Sequence, residues 1–157
     1  MPITLKCLKR KEADFEPRTL AEHVKRLRVQ RGLTQYQTAR LLKVSSWTIR
    51  KWENGHTTPP VAYLPALIRF LGYDPFPQAH TLPERLRAKR RAMGWSIRAA
   101  ARGIGVDAGA WSDWEEGGVI LFRNHRRLVA QLLDLPIEQI DEEMRSRWNA
   151  AHRGRGE

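Results

Sequence analysis

Apolar residues recur along this chain at helical spacing and hardly anywhere alternate with period two, so the pattern predicts an all-α protein. Leu20, Val24 and Leu27 fall at i, i+4 and i+7 and define one buried face, which Gly32 terminates. Thr34 opens a second short helix that carries Ala39 and Leu42 inward, and Lys43 and Val44 form the turn after it. Ser45 then caps a third helix with Ile49 and Trp52 on one face and Gly55 as its stop. A fourth helix is predicted over 64–71, with Pro65 in its first turn, where the missing N–H is not needed.

The same pattern returns 62 residues later, from Thr81 in place of Thr19. Thr19-Leu-Ala-Glu22 and Thr81-Leu-Pro-Glu84 are both capping boxes, in which the Thr hydroxyl and the Glu carboxylate satisfy free backbone N–H groups. Arg28 aligns with Arg90, Gly32 with Gly94, Trp52 with Trp114, Glu53 with Glu115 and Gly55 with Gly117. A repeat this long suits a small helical domain rather than one unit of a solenoid. The predicted organisation is a basic arm over 1–18, a first domain over 19–74 and a linker over 75–80 stiffened by Pro75 and Pro77. A second domain with a C-terminal helix follows over 81–149, then a basic, disordered tail over 150–157.

Charge narrows the function. The 157 residues carry a formal net charge of +11, which points to a polyanionic partner. No apolar run reaches the roughly 20 residues of a membrane span, and the N-terminus lacks a signal-peptide core, so a cytoplasmic, nucleoid-associated protein is expected. The single cysteine, Cys7, excludes an intrachain disulfide. His23, His56, His80, His125 and His152 are scattered without metal-ligand spacing, and no phosphate-binding glycine loop or activated nucleophile is visible. Neither an enzyme nor a cofactor or metal site is therefore expected, and no stacking-sheet motif or GXXG loop suggests an RNA-binding fold.

The stretch GLTQYQTARLLKVSSWTIRKWENG, residues 32–55, resembles the helix-turn-helix of the phage Cro and lambda-type repressor family, also called the XRE family. Gly32, Leu33, Thr34, Gln35, Ala39, Leu42, Val44, Ser45, Thr48, Ile49, Trp52, Glu53, Asn54 and Gly55 match its pattern. Thr38 stands where Leu is usual, and Lys43 where Gly is usual. The resemblance implies two tandem lambda-repressor-like helix-turn-helix domains of four to five helices each, the second degenerate. It also implies a sequence-specific transcriptional regulator that binds double-stranded DNA. With Ile49 and Trp52 inward, Ser46, Trp47, Arg50 and Lys51 point outward, at the positions where the family contacts bases in the major groove. Outside such a motif, Arg50 and Lys51 would read as an ordinary solvated face. Gln35 falls where the family binds a phosphate, and Thr34 and Asn54 are phosphate or cap residues. The pairs Arg28–Glu53 and Arg90–Glu115 correspond to the family's internal ion pair between first and third helices, a structural feature.

The second copy reverses the charge of its third helix. Residues 45–54 hold Arg50, Lys51 and Glu53, a net +1, whereas 107–116 hold Asp107, Asp113, Glu115 and Glu116, a net −4. DNA would repel that face, and Ser96-Ile97 replaces Thr34-Gln35. The basic runs at 85–91 and 125–127 are either phosphate contacts or solubilising faces. Ile137, Ile140, Met144 and Trp148 form a stripe on the last helix that either covers its own core or pairs with a second chain. A homodimer on DNA is expected, since one reading helix covers few base pairs. The competing function is a protein-interaction module, antitoxin-like or an adaptor, with a protein partner on the second domain and DNA secondary.

Overall fold

The computed structural model describes residues 16–153 apart from residue 121. Most of the expected basic arm, including Cys7, lies outside the described residues, as do 154–157. The described chain is helical without strands and divides into two compact units between Pro77 and Gln78.

In the first unit, α1 spans Leu20–Gln30, α2 Gln35–Leu42, α3 Ser46–Glu53 and α4 Leu64–Leu71, with one 3₁₀ turn at Val61–Tyr63 before α4. Local chemistry sets these boundaries. The Thr19 side chain accepts from the Glu22 N–H, and Glu22 accepts from the backbone N–H groups of Arg18 and Thr19. Thr34 and Gln37 make the same reciprocal cap on α2, and Ser45 caps α3 by accepting from the Thr48 N–H. Val24, Ile49 and Leu67 are essentially inaccessible and meet Ala39, Leu42, Trp52 and Phe70 in one core. Each fully buried aliphatic side chain of this kind contributes about 1.5–3 kcal/mol. Tyr63 sets its ring edge-on to Trp52, with centroids 5.5 Å apart, so the 3₁₀ turn is packed onto α3.

The second unit contains α5 over Leu82–Ala92, α6 over Ile97–Gly103, α7 over Ala108–Glu116, α8 over Arg123–Leu133 and α9 over Ile137–His152. Its caps are the Thr81–Glu84 box, Ser96 and Asp107. Leu82, Leu86, Trp111, Ile120, Val129, Ile140 and Met144 form its core. Ile140 and Met144 are each 1% exposed, so this part of the α9 stripe covers its own core and is closed to a partner; only Trp148 emerges, 47% exposed. Glu143 accepts from the Leu82 N–H at the start of α5, and Arg147 donates to both Glu143 and the Gly117 carbonyl. These bonds fasten α9 to the ends of α5 and α7.

One boundary differs from expectation. The helix α9 continues to His152, so 150–152 are helical rather than part of a disordered tail. Within the expected linker, Phe76 packs against the first core, while the His80 N–H bonds to Glu84 in the second unit. The Pro77–Gln78 divide therefore falls inside a segment whose two ends are each anchored.

Candidate nucleic-acid interface

The α2–α3 corner is built by backbone geometry at Lys43, which lies in the left-handed region at φ 55°. That conformation reverses the chain within two residues and lets Ser45 cap α3. The helix is then held from beneath by Ile49 and Trp52, 0% and 4% exposed. The opposite side carries Ser46, Trp47 and Arg50 exposed and Lys51 half-buried. Trp47 is 59% exposed, unusual for so large an aromatic. The Arg50 guanidinium lies 5.7 Å and the Lys51 ammonium 5.9 Å from its ring centroid. Both cations thus share one aromatic platform, and neither makes an ion pair among the described residues.

Below this face lies a buried carboxylate. Glu53, its side chain 3% exposed, accepts from Arg28 Nε at 2.6 Å and Nη2 at 2.9 Å. Arg28 Nη1 also donates to the Leu33 carbonyl. A third donor to Glu53 is Gln35 Nε2, at 2.9 Å from Oε2. Gln35 is therefore oriented at the N-terminus of α2 by the same network that ties α1 to α3. The Thr34 hydroxyl is engaged as the α2 cap, and Asn54 is exposed as the C-cap of α3. Tyr36, beside Gln35, is 63% exposed; the hydrophobic pattern gave no sign of it because an outward aromatic does not break helical periodicity.

In the second unit, Arg90 binds Glu115 through Nε and Nη2, the latter at 2.8 Å. Arg87 adds a bond to the Glu115 carbonyl. The third side-chain donor is the Trp111 indole, 2.6 Å from Oε1. Burial pushes the Glu115 carboxyl up, but the hydrogen bonds from Arg90 and Trp111 and the charges of Arg90 and Arg87 outweigh it, and its pKa is lowered. Asp107 accepts from the Gly109 and Ala110 N–H groups as a helix cap, leaving Asp113 and Glu116 exposed on α7. The basic runs are partly internal: Arg87 and Arg90 turn to Glu115, and Arg126 turns to Asp141 and the Ile120 carbonyl.

The helix-turn-helix family model matches residues 24–77, ending where the first compact unit ends. Residues 24–77 form a helix-turn-helix domain. No curated protein and no solved structure matches the chain. A helix-turn-helix domain is a non-catalytic fold, and among the described residues no group of His, Cys, Asp and Glu converges as a metal site requires. No helix among them is long and apolar enough to cross a membrane.

Proposed function

We propose that this chain is a sequence-specific transcriptional regulator that binds double-stranded DNA and reads the major groove with α3. The observation that carries this reading is the α3 surface: Ile49 and Trp52 fix the helix, while Ser46, Trp47, Arg50 and Lys51 stand on the other side, the two cations over the Trp47 ring. A helix fits a major groove about 12 Å wide, where Arg or Lys donates to guanine O6 and N7. Gln35, held at the α2 N-terminus by Glu53, keeps one amide hydrogen for a phosphate, and Asn54, exposed at the end of α3, is a further phosphate contact, whereas the Thr34 hydroxyl is taken up by Gln37 in the cap. Such contacts position the domain without specifying sequence.

In this reading the second unit is a copy of the same motif that no longer reads bases. Its helices begin at matching offsets, Leu82 against Leu20, Ile97 against Gln35 and Ala108 against Ser46, and it keeps the Arg–Glu pair. Its α7 offers Gly109 and Ala110 where α3 offers Trp47 and Thr48, and exposes Asp113 where α3 carries Lys51. Two chains then supply two reading helices to half-sites one turn of DNA apart. The acidic α7 face also favours a second reading, an interaction module with a protein partner on that unit.

Selection of bound duplexes from a random library tests the proposal. A defined motif, weakened by about 1–3 kcal/mol on Arg50→Ala or Lys51→Ala, is the expected result. Unchanged affinity and preference in both variants would remove α3 as the reader. Co-purification of a stoichiometric protein partner with only non-specific DNA affinity would favour the interaction module.

A further inference from the structure

The second unit carries a groove that the proposed duplex contact does not use. It lies between the start of α8 and the outer side of α9, has a volume of about 470 Å³, and is lined by Val119, Arg123, Arg126, Asp141, Arg145 and Trp148, with Met144 at its base. Its charge is unbalanced. Asp141 is the one carboxylate among the described residues of the lining, and Arg126 already binds it at 3.1 Å. Arg123 and Arg145 are exposed and make no ion pair among the described residues. Trp148 also lines the groove, 47% exposed although it continues the buried stripe of α9. His152 stacks on this indole with centroids 4.0 Å apart and planes inclined by 24°, so the ring already accepts a flat partner on one face.

We propose that this groove binds single-stranded nucleic acid, with one base stacked on Trp148 and the adjoining phosphates against Arg123 and Arg145. Two unpaired guanidinium groups supply the charge that a phosphodiester backbone needs, and an exposed indole supplies the stacking surface. The volume falls within the range of small-ligand clefts, enough for a base and its sugar. A duplex offers less to an indole, since its bases are already stacked and paired and only its backbone meets the arginines. The groove is distinct from α7, whose carboxylates would repel the strand, and it gives the second unit a polyanion site of its own. This inference does not depend on the duplex reading of α3.

The test uses the full chain and a fluorescein-labelled oligothymidylate of about 12 nucleotides, within the site size of comparable strand binders. Anisotropy should show binding accompanied by quenching of indole fluorescence. Trp148→Ala should lower affinity about 5- to 150-fold, the equivalent of about 1–3 kcal/mol per stacked base. Trp148→Phe should restore most of it. Arg145→Ala should weaken binding and reduce the salt slope by about 0.7. The Arg50→Ala, Lys51→Ala double variant should bind oligothymidylate as the wild type does, which separates this site from α3. Wild-type affinity in both Trp148→Ala and Arg145→Ala, or no binding by the wild type, overturns the proposal. So does a loss confined to duplex DNA, which would make the groove a duplex-backbone contact.

Discussion

The Trp111 indole N–H donates to Glu115 at 2.6 Å, and in the second unit it takes the part that the Gln35 amide plays toward Glu53 in the first. The two donors do not align. Gln35 sits at the N-terminus of α2, whereas Trp111 stands on α7 at the position of Ile49 in α3. Ile97, 62 residues after Gln35, has no side-chain N–H to offer, and a buried aromatic supplies one from within the core. A buried carboxylate short of donors is costly, so the Trp111 N–H stabilises the Arg90–Glu115 ion pair. Trp111→Phe keeps most of the ring volume and removes the donor. It should lower the stability of the second unit by about 2 kcal/mol, the scale of a hydrogen bond to a charged group. Urea unfolding checks this; a change below about 0.5 kcal/mol would mean that Arg90 alone satisfies Glu115.

Acid should act on the same carboxylate. The Glu115 pKa is lowered in the folded chain because the bonds from Arg90 and Trp111 and nearby arginine charge overcome the burial that raises it. A lowered folded value means stability that is fully present above the unfolded value of about 4.3 and lost as pH falls through the folded one. Glu84 adds to this slope in the same unit, held down by the backbone N–H groups of Thr81 and His80. The unfolding midpoint of the second unit should therefore fall as pH is lowered from about 4.5 toward 2. Glu115→Gln should start lower at neutral pH and show a shallower acid slope. An unchanged slope in that variant would remove Glu115 as its source.

Thr38 is fully buried, and its hydroxyl has no hydrogen-bond partner among the described residues. The aligned residue in the second unit is Ala100, equally buried and without a polar atom. Thr38→Val preserves shape and removes the unsatisfied group. We expect it to stabilise the first unit by about 1 kcal/mol, measured by urea unfolding. Destabilisation would show that the hydroxyl is satisfied in solution, for example by a buried water.

Lys43 holds a left-handed conformation at φ 55°, whereas the aligned Gly105 adopts φ 72° without a Cβ. Lys43→Gly should raise the stability of the first unit by about 1 kcal/mol, the left-handed penalty reduced by the chain entropy of glycine. Denaturant midpoints of the two chains decide it. The same variant should weaken DNA binding if the Lys43 ammonium meets a phosphate.

Much of the fold was legible because local rules and burial agree: Thr19, Thr34, Ser45 and Thr81 cap helices, and Ile49 and Trp52 face inward. The outward set on α3 followed from that inward pair by helical geometry alone. Contacts between residues distant in sequence were less legible. That Gln35 bonds Glu53, and that Arg126 turns to Asp141 rather than to solvent, depends on side-chain reach across helices that no periodicity records. The α9 stripe was ambiguous for the same reason. Helical spacing identifies an apolar face but not what covers it, and only the packing of Ile140 and Met144 into their own core decides.

Trp47 offers the sharpest test of how α3 binds. Its ring carries no charge, yet Arg50 and Lys51 lie over it at 5.7 and 5.9 Å. In the proposed reading, two long side chains that would otherwise sample many rotamers are thereby held on one side of the helix before DNA arrives. Removing the ring restores their freedom, and binding must then order them. Trp47→Ala should weaken specific binding by about 0.5–2 kcal/mol, the range of exposed to desolvated cation–π contacts. The dependence of affinity on salt should not change, because no cation has been lost. Lys51→Ala should differ, reducing the salt slope by about 0.9 if its ammonium neutralises a phosphate, and leaving it nearly intact if it reads a base. Titrations of the three chains on one selected duplex at several salt concentrations separate these outcomes. A salt slope that falls in Trp47→Ala as far as in Lys51→Ala would mean that the ring holds a cation in its phosphate contact rather than pre-ordering two that read bases.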